Sequence, residues 1–264
     1  HFIISPMFEY GSEFHNGIAV VQKDSKYGFI NKEGKWLIKP QYDSIDFGRW
    51  EHYWTKNNMV QIEKEGRKGI ARIDDERVKI VLQPKYSKIF PFSEGEARFV
   101  LQGGDSTGEL DESNIQQGFI DESGKEICKW NSDDGMEYQY VNEGLRQAQD
   151  KDNKWGFADR YLNLQIPCRY DDTSGFVHGW AIVVLNGKTG LIDREGKVLV
   201  PLEYDLVVPR KDEGYIIVGE KDGKHLIDIT NFKVISASYD EIYDGIDILP
   251  VKKGDKIGFI DKKG

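Results

Sequence analysis

The carboxylates have the most chemical reach of any residues in this chain. Asp133 and Glu137 stand four apart, a pairing that suits the acid and base of a glycosidase-like hydrolase. Asp150-Lys151-Asp152-Asn153-Lys154 opens like a calcium loop but lacks the later ligands and the closing glutamate. It also falls in phase with Lys23-Asp24-Ser25-Lys26, which reads as a hairpin turn. Asp121, Asp193 and Asp261 each follow Gly, an apolar residue and Ile. A carboxylate that bonds its own backbone in a turn accounts for all three.

The other reactive types are sparse. The five histidines are His1, His15, His52, His178 and His225, and none stands in an H-x-x-x-H pair. With no C-x-x-C either, zinc spacing is missing. His15 and His178 read as turn residues before Gly17 and Gly179. There is no G-x-S-x-G and no phosphate-loop pattern. Cys128 and Cys168 read as buried free thiols, with a disulfide between them left to geometry. No catalytic residue, metal ligand or cofactor is assigned, and the expectation is a protein that is not an enzyme.

These residues sit in a repeated frame. The stretch NKEGKWLIKPQYD at Asn31 returns as DREGKVLVPLEYD at Asp193. Gly, two apolar residues and Asp or Asn recur at Gly28, Gly118, Gly190 and Gly258, with variants at Gly69, Gly156 and His225. Successive spacings are 41, 49, 38, 34, 35 and 33 residues, giving seven units. A second landmark is an aromatic before an acidic or polar residue, at Phe8, Tyr42, Tyr86, Tyr170, Tyr204 and Tyr239. A third is an aromatic, a Gly and alternating apolar positions, as in FHNGIAVV at Phe14 and FVHGWAIVV at Phe176.

Runs such as GIAVV, YGFIN and KWLIKP are rich in β-branched and aromatic types and predict strands. The Gly between them supplies the positive φ of tight hairpin turns. Pro40, Pro84 and Pro201 are expected to end the third strand, because proline cannot donate to the ladder. Each unit is thus an antiparallel meander of three strands plus a short extended segment, and the chain reads as all-β, one β-repeat domain over 1–264. The start, HFIISPMFEYG, aligns with KWLIKPQYDS, the strand that the final GFIDKKG lacks. A strand at residues 2–4 paired with the last hairpin would close a seven-bladed β-propeller, which is the preferred architecture. An open, curved β-repeat solenoid is the alternative.

The Gly-Phe-Ile-Asp strands, the Glu-Gly-Lys turns, the Pro-x-Tyr-Asp exits and the pair Trp155-Gly156 together resemble the WG-repeat (KWG-repeat) family of bacterial proteins. That resemblance covers essentially the whole chain. It implies an interaction scaffold and no shared reaction.

Composition narrows the partners. A net charge of −9 excludes the basic groove that nucleic acid requires. No apolar run approaches the length of a membrane span. The chain opens without Met. Residues upstream are therefore expected to have been removed or omitted, leaving a cytoplasmic, periplasmic or cell-surface location open. The units within 39–167 are expanded. One expansion carries Trp50, His52, Tyr53 and Trp54; a second is the polar segment 102–117; a third carries Trp130, Asp133, Asp134, Glu137 and Tyr138. Loops on a rigid scaffold commonly carry recognition, and aromatic anchors among acids suit a protein surface. The competing reading packs alternate residues of the Trp50 stretch into the core and leaves 102–117 disordered. The expected function is a non-enzymatic scaffold, monomeric apart from a protein or peptide with a basic patch, for example a toxin neutralised by an immunity protein. A carbohydrate-binding surface and the hydrolase above are the alternatives.

Overall fold

A computed structural model of the chain describes residues 3–46, 58–104, 110–245 and 247–264, with the backbone alone for 102–104 and 110–114. The chain forms two compact units, residues 1–135 and 136–264.

Among the described residues the first unit holds three four-stranded sheets. Sheet 1 runs β1 (Tyr10–Gly11), β2 (Ile18–Lys23), β3 (Lys26–Asn31) and β4 (Trp36–Tyr42). Sheet 2 runs β5 (Ser44–Asp46), β6 (Met59–Lys64), β7 (Arg67–Asp74) and β8 (Arg77–Tyr86). Sheet 3 runs β9 (Lys88–Ile89), β10 (Glu96–Gly104), β11 (Leu110–Asp121) and β12 (Glu126–Asn131).

Among the described residues the second unit holds four sheets. Sheet 4 runs β13 (Met136–Asn142), β14 (Leu145–Asp150), β15 (Trp155–Ala158) and β16 (Leu164–Tyr170). Sheet 5 runs β17 (Asp172–Thr173), β18 (Trp180–Leu185), β19 (Lys188–Asp193) and β20 (Val198–Tyr204). Sheet 6 has β21 (Leu206–Arg210), β22 (Tyr215–Glu220) and β23 (Gly223–Asp228). Sheet 7 has β24 (Glu241–Ile242), β25 (Ile248–Lys253) and β26 (Lys256–Asp261). Among the described residues every pairing within a sheet is antiparallel between neighbours in sequence, so the fold is all-β and each sheet is a meander. Among the described residues no helix is long and apolar enough to cross a membrane.

The turns follow from backbone stereochemistry. Asn16-Gly17, Glu94-Gly95, Glu143-Gly144 and His178-Gly179 each place two successive residues at positive φ. That conformation matches the twist of the flanking strands in a two-residue hairpin. His178 therefore shares its turn position with Asn16, not with His15 as the sequence alignment suggested. His15 sits one residue earlier, bridged to Ile18.

Three expectations about the strands change. Pro40, Pro84 and Pro201 lie inside β4, β8 and β20 and do not end them. Each occupies a register shift: Tyr27 pairs with Tyr42 and Phe29 with Ile38, so two residues of β3 face four of β4. The bulge needs no donor from proline. Segment 102–117 is largely strand, because the β10–β11 ladder continues from Gln102↔Ile115 to Gly104↔Leu110. Residues 112–117 contain no Gly or Pro to break that ladder. Lastly, Ile3 and Ile4 lie in a bend where a closing strand was expected, and Phe2 lies outside the described residues.

Neighbouring sheets within a unit pack face to face. Ile18, Val20 and Phe29 of sheet 1 meet Val60, Ile62 and Ile73 of sheet 2 in one cluster. Phe157 and Ile166 of sheet 4 likewise meet Val183 and Ile192 of sheet 5. Alternation along each strand delivers one apolar row to each face, so a thin sheet is buried on both sides. That explains how 39% hydrophobic content suffices.

Candidate binding face

The repeated carboxylates are consumed by the scaffold. Asn31 Oδ1 accepts from the backbone N–H groups of Glu33 and Lys35, at 3.2 and 2.9 Å. Asp121 does the same for Ser123 and Lys125, Asp193 for Glu195 and Lys197, and Asp261 for Lys263. Asp150 accepts from Asp152 and Lys154 at 3.0 and 2.9 Å, so the stretch that resembled a calcium loop is another such turn. Burial raises the Asp121 carboxyl, but the Ser123 hydroxyl and the turn N–H groups outweigh it and hold the group below its ordinary range.

A second set of acids links one sheet to the next. Asp43, just after β4, takes Lys26 of its own sheet and the Glu65 N–H of sheet 2 at 2.6 Å. Asp171, after β16, takes Lys154 Nζ at 2.5 Å and the Asn186 N–H of sheet 5 at 2.6 Å. Asp240 accepts the Gly254 N–H at 2.6 Å, and Glu9 accepts those of Asp24 and Ser25 at 2.8 and 3.1 Å. The lysine hydrogen bond first, then the turn N–H, keeps Asp43 and Asp171 below the usual carboxylate range. The sequence marks these acids as the partner of the aromatic landmark, yet their cross-sheet role is visible only in the structure.

Of the expected anchors, Trp50, His52, Tyr53 and Trp54 lie outside the described residues. Trp130 is 5% exposed and stacks on Phe119 at 5.6 Å, with the Arg98 guanidinium 5.6 Å from its ring. It pairs with Gln117, the residue before Gly118, as Tyr42 pairs with Tyr27 before Gly28. Trp130 is therefore sheet 3's copy of the landmark tyrosine. The clue in the sequence is an aromatic before a polar residue twelve places after Gly118, against fourteen from Gly28 to Tyr42. As a free surface anchor it is corrected: strand alternation turns its ring inward. Tyr138 is also buried, at 7%, and stands on β13 paired with Ala148.

Beyond Trp130 the chain departs from the repeat. Ser132–Asp134 forms a short 3-10 turn closed by Gly135 at φ 71°. Asp134 Oδ2 accepts the Asn131 N–H at 2.9 Å, which spends that carboxylate on the turn. Asp133 is exposed at the same turn and, among the described residues, has no hydrogen bond within its own sheet, unlike Asp43. In the second unit, Glu137 is half-buried on β13 and stands opposite Gln149.

Elsewhere, His178 Nδ1 lies 2.6 Å from Lys211 Nζ, and Glu143 accepts the backbone N–H groups of His178 and Gly179. Cys128 and Cys168 form no disulfide and are half-buried. Desolvation pushes the Cys168 thiol up, so it is not an activated nucleophile. Among the described residues no group of His, Cys, Asp and Glu could hold a metal.

Comparison with known proteins gives one sequence family. The family described as WG containing repeat matches residues 1–27, 27–49, 78–104, 155–188 and 190–224. No curated protein matches the chain. Among solved structures, one titled as the eukaryotic initiation factor aligns with TM-score 0.46 and 10% identity, covering 98% of this chain and 77% of that one. The WD40 β-propeller domain of Doa1 aligns with TM-score 0.28 and 13% identity, covering 91% and 88%. BamB from Moraxella catarrhalis aligns with TM-score 0.29 and 12% identity, covering 92% and 81%.

Proposed function

The chain belongs to the WG-repeat family, and on that premise we propose that it is a non-enzymatic scaffold for binding a protein or peptide with a basic patch. The sheets are read as propeller blades, and the binding surface as the departures from the repeat in sheets 2 and 3. The observation that carries the proposal is the division of carboxylates. Those in phase are engaged by turns and sheet links, whereas Asp133, out of phase, is exposed and has no hydrogen bond or ion pair among the described residues. A fixed acidic turn on a rigid sheet attracts a cationic partner through the field of the −9 molecule. Trp50, Tyr53 and Trp54 are the aromatic anchors this reading retains. A small basic toxin domain is one form such a partner takes.

The test is capture of a partner from host lysate by the wild-type chain, by Asp133→Lys, and by Trp50→Ala with Trp54→Ala. Loss of the same partner in both variants is expected. Unchanged capture would sink the assignment of the face.

A further inference from the structure

In the second unit, three consecutive sheets touch through the turn that precedes the second strand of each. Glu143 of sheet 4 accepts the backbone N–H groups of His178 and Gly179 of sheet 5, at 2.6 and 2.8 Å. His178 Nδ1 lies 2.6 Å from Lys211 Nζ of sheet 6. Lys211 stands in the loop 211–214, which the Gly214 N–H closes on the Arg210 and Lys211 carbonyls at 2.9 and 3.0 Å. Both His178 and Lys211 are exposed. The half-buried ring of Trp180 lies 5.6 Å from the imidazole, centroid to centroid.

The Lys211–His178 contact fixes its own protonation. A lysine ammonium has three N–H donors and no acceptor, so the lone pair must come from Nδ1 of His178. The imidazole proton is then on Nε2. Two ammonium N–H groups and one imidazole N–H remain, and the pair has no acceptor left to offer. Elsewhere in this unit the scaffold cancels such cations. Lys154 and Lys188 pair with Asp171 and Asp205, and Arg210 pairs with Asp244 at 2.6 Å. Among the described residues Lys211 has no carboxylate within ion-pair distance, although Asp212 and Glu213 follow it in the loop.

Glu143 reaches the same turn but is already engaged. The Gly179 N–H, then that of His178, outweighs burial and holds its carboxyl below the ordinary range, and the Arg194 charge adds to this. There is also room beside the His178-Gly179 turn. A Cβ added at the matching Gly17 would meet the Glu76 side chain at 2.6 Å, and one at Gly144 would meet Arg194 at 3.0 Å. A Cβ added at Gly179 would meet nothing within 4 Å. The turn that carries the unanswered donors is thus one that the next sheet does not cover.

We infer that His178 and Lys211 form an oxyanion-binding notch between sheets 5 and 6, which takes the phosphate or carboxylate group of a small ligand. Lys211 supplies charge and two donors, and Nε2 of His178 supplies a third. Hydrogen bonds from a charged donor to an oxyanion are the strong ones. Trp180 offers a flat ring beside them for the body of the ligand. The notch uses no residue of the partner face proposed above, so either can fail alone.

Nuclear magnetic resonance of the full-length chain tests it, with inorganic phosphate and acetate titrated separately at fixed pH and ionic strength. The His178 ring and Trp180 indole signals should move and saturate with at least one probe. Lys211→Gln, read at both rings, should weaken that binding about tenfold or more, the loss expected when a hydrogen bond from a charged group goes. His178→Phe, read at Trp180, should weaken it as well. Lys188→Gln should not, because that lysine already serves Asp205. The variants alter side chains at the surface, and an unchanged urea midpoint confirms that each folds. Saturation by phosphate alone assigns a phosphoryl ligand, by acetate alone a carboxylate, and by both a notch open to either. Shifts that grow linearly with both probes would overturn the notch, as would saturable binding indifferent to Lys211→Gln. A proton found on Nδ1 of His178 in the free protein would overturn the contact on which it rests.

Discussion

At the scale of residues, repetition separates what holds the fold from what is free to act. Gly190 has its Cβ position 2.5 Å from the Val200 carbonyl. Gly190→Ala therefore forces β20 away, and overpacking of this kind costs roughly 1–3 kcal/mol, to be read as a lowered urea midpoint. The linking acids make a different prediction. Lys26 and the Glu65 N–H lower the Asp43 carboxyl, and Lys154 and the Asn186 N–H lower that of Asp171. A carboxyl depressed in the folded state adds stability above its unfolded value, about 3.9 for Asp. It loses that stability as pH falls through the folded value. The urea midpoint should hold steady from neutral pH to about 5 and fall below about 4. Asp43→Asn with Asp171→Asn should lower the neutral-pH midpoint and flatten the acid limb. An acid limb unchanged in the double variant would show that these links carry no stability.

At the scale of elements, Phe157 shows what a single strand contributes. It is fully buried, 4.6 Å from Phe176, within the cluster shared by sheets 4 and 5. Phe157→Ala leaves a cavity between two sheets, for which about 3–5 kcal/mol is expected, measured by chemical unfolding. Strands of this kind were legible in the sequence, because Gly-Phe-Ile-Asp joins a β-rich run to a turn residue. The repeated antiparallel meander was legible for the same reason, and among the described residues each sheet has that form. Less legible were features fixed by register. Proline looked like a terminator, yet the two extra residues of each bulge let it stay inside the strand. Trp130 looked like a surface anchor, because two fewer residues after Gly118 disguised it as a break in the pattern. The cross-sheet acids were invisible in role, since their partners are backbone N–H groups one repeat away.

At the scale of the whole molecule, charge is the property that a partner meets first. The chain carries 45 acidic against 36 basic residues. Lysines absorb many of the acids in pairs such as Lys188 with Asp205 and Lys85 with Glu126. What a partner experiences is the uncompensated remainder, to which the exposed Asp133 contributes at a fixed place. Exposed charges interact over about 8–10 Å at physiological salt and roughly 3 Å at 1 M. If the proposed reading holds, association with a basic partner should slow as salt rises, while dissociation, assigned in that reading to the aromatic anchors, changes less. Surface-plasmon kinetics at 50 mM and 500 mM salt, roughly threefold apart in screening length, make that split measurable. Asp133→Lys should lower the on-rate most at low salt, whereas Trp54→Ala should raise the off-rate at both. An on-rate indifferent to salt would mean that the partner is recognised by shape alone and that the acidic turn is not its landing point.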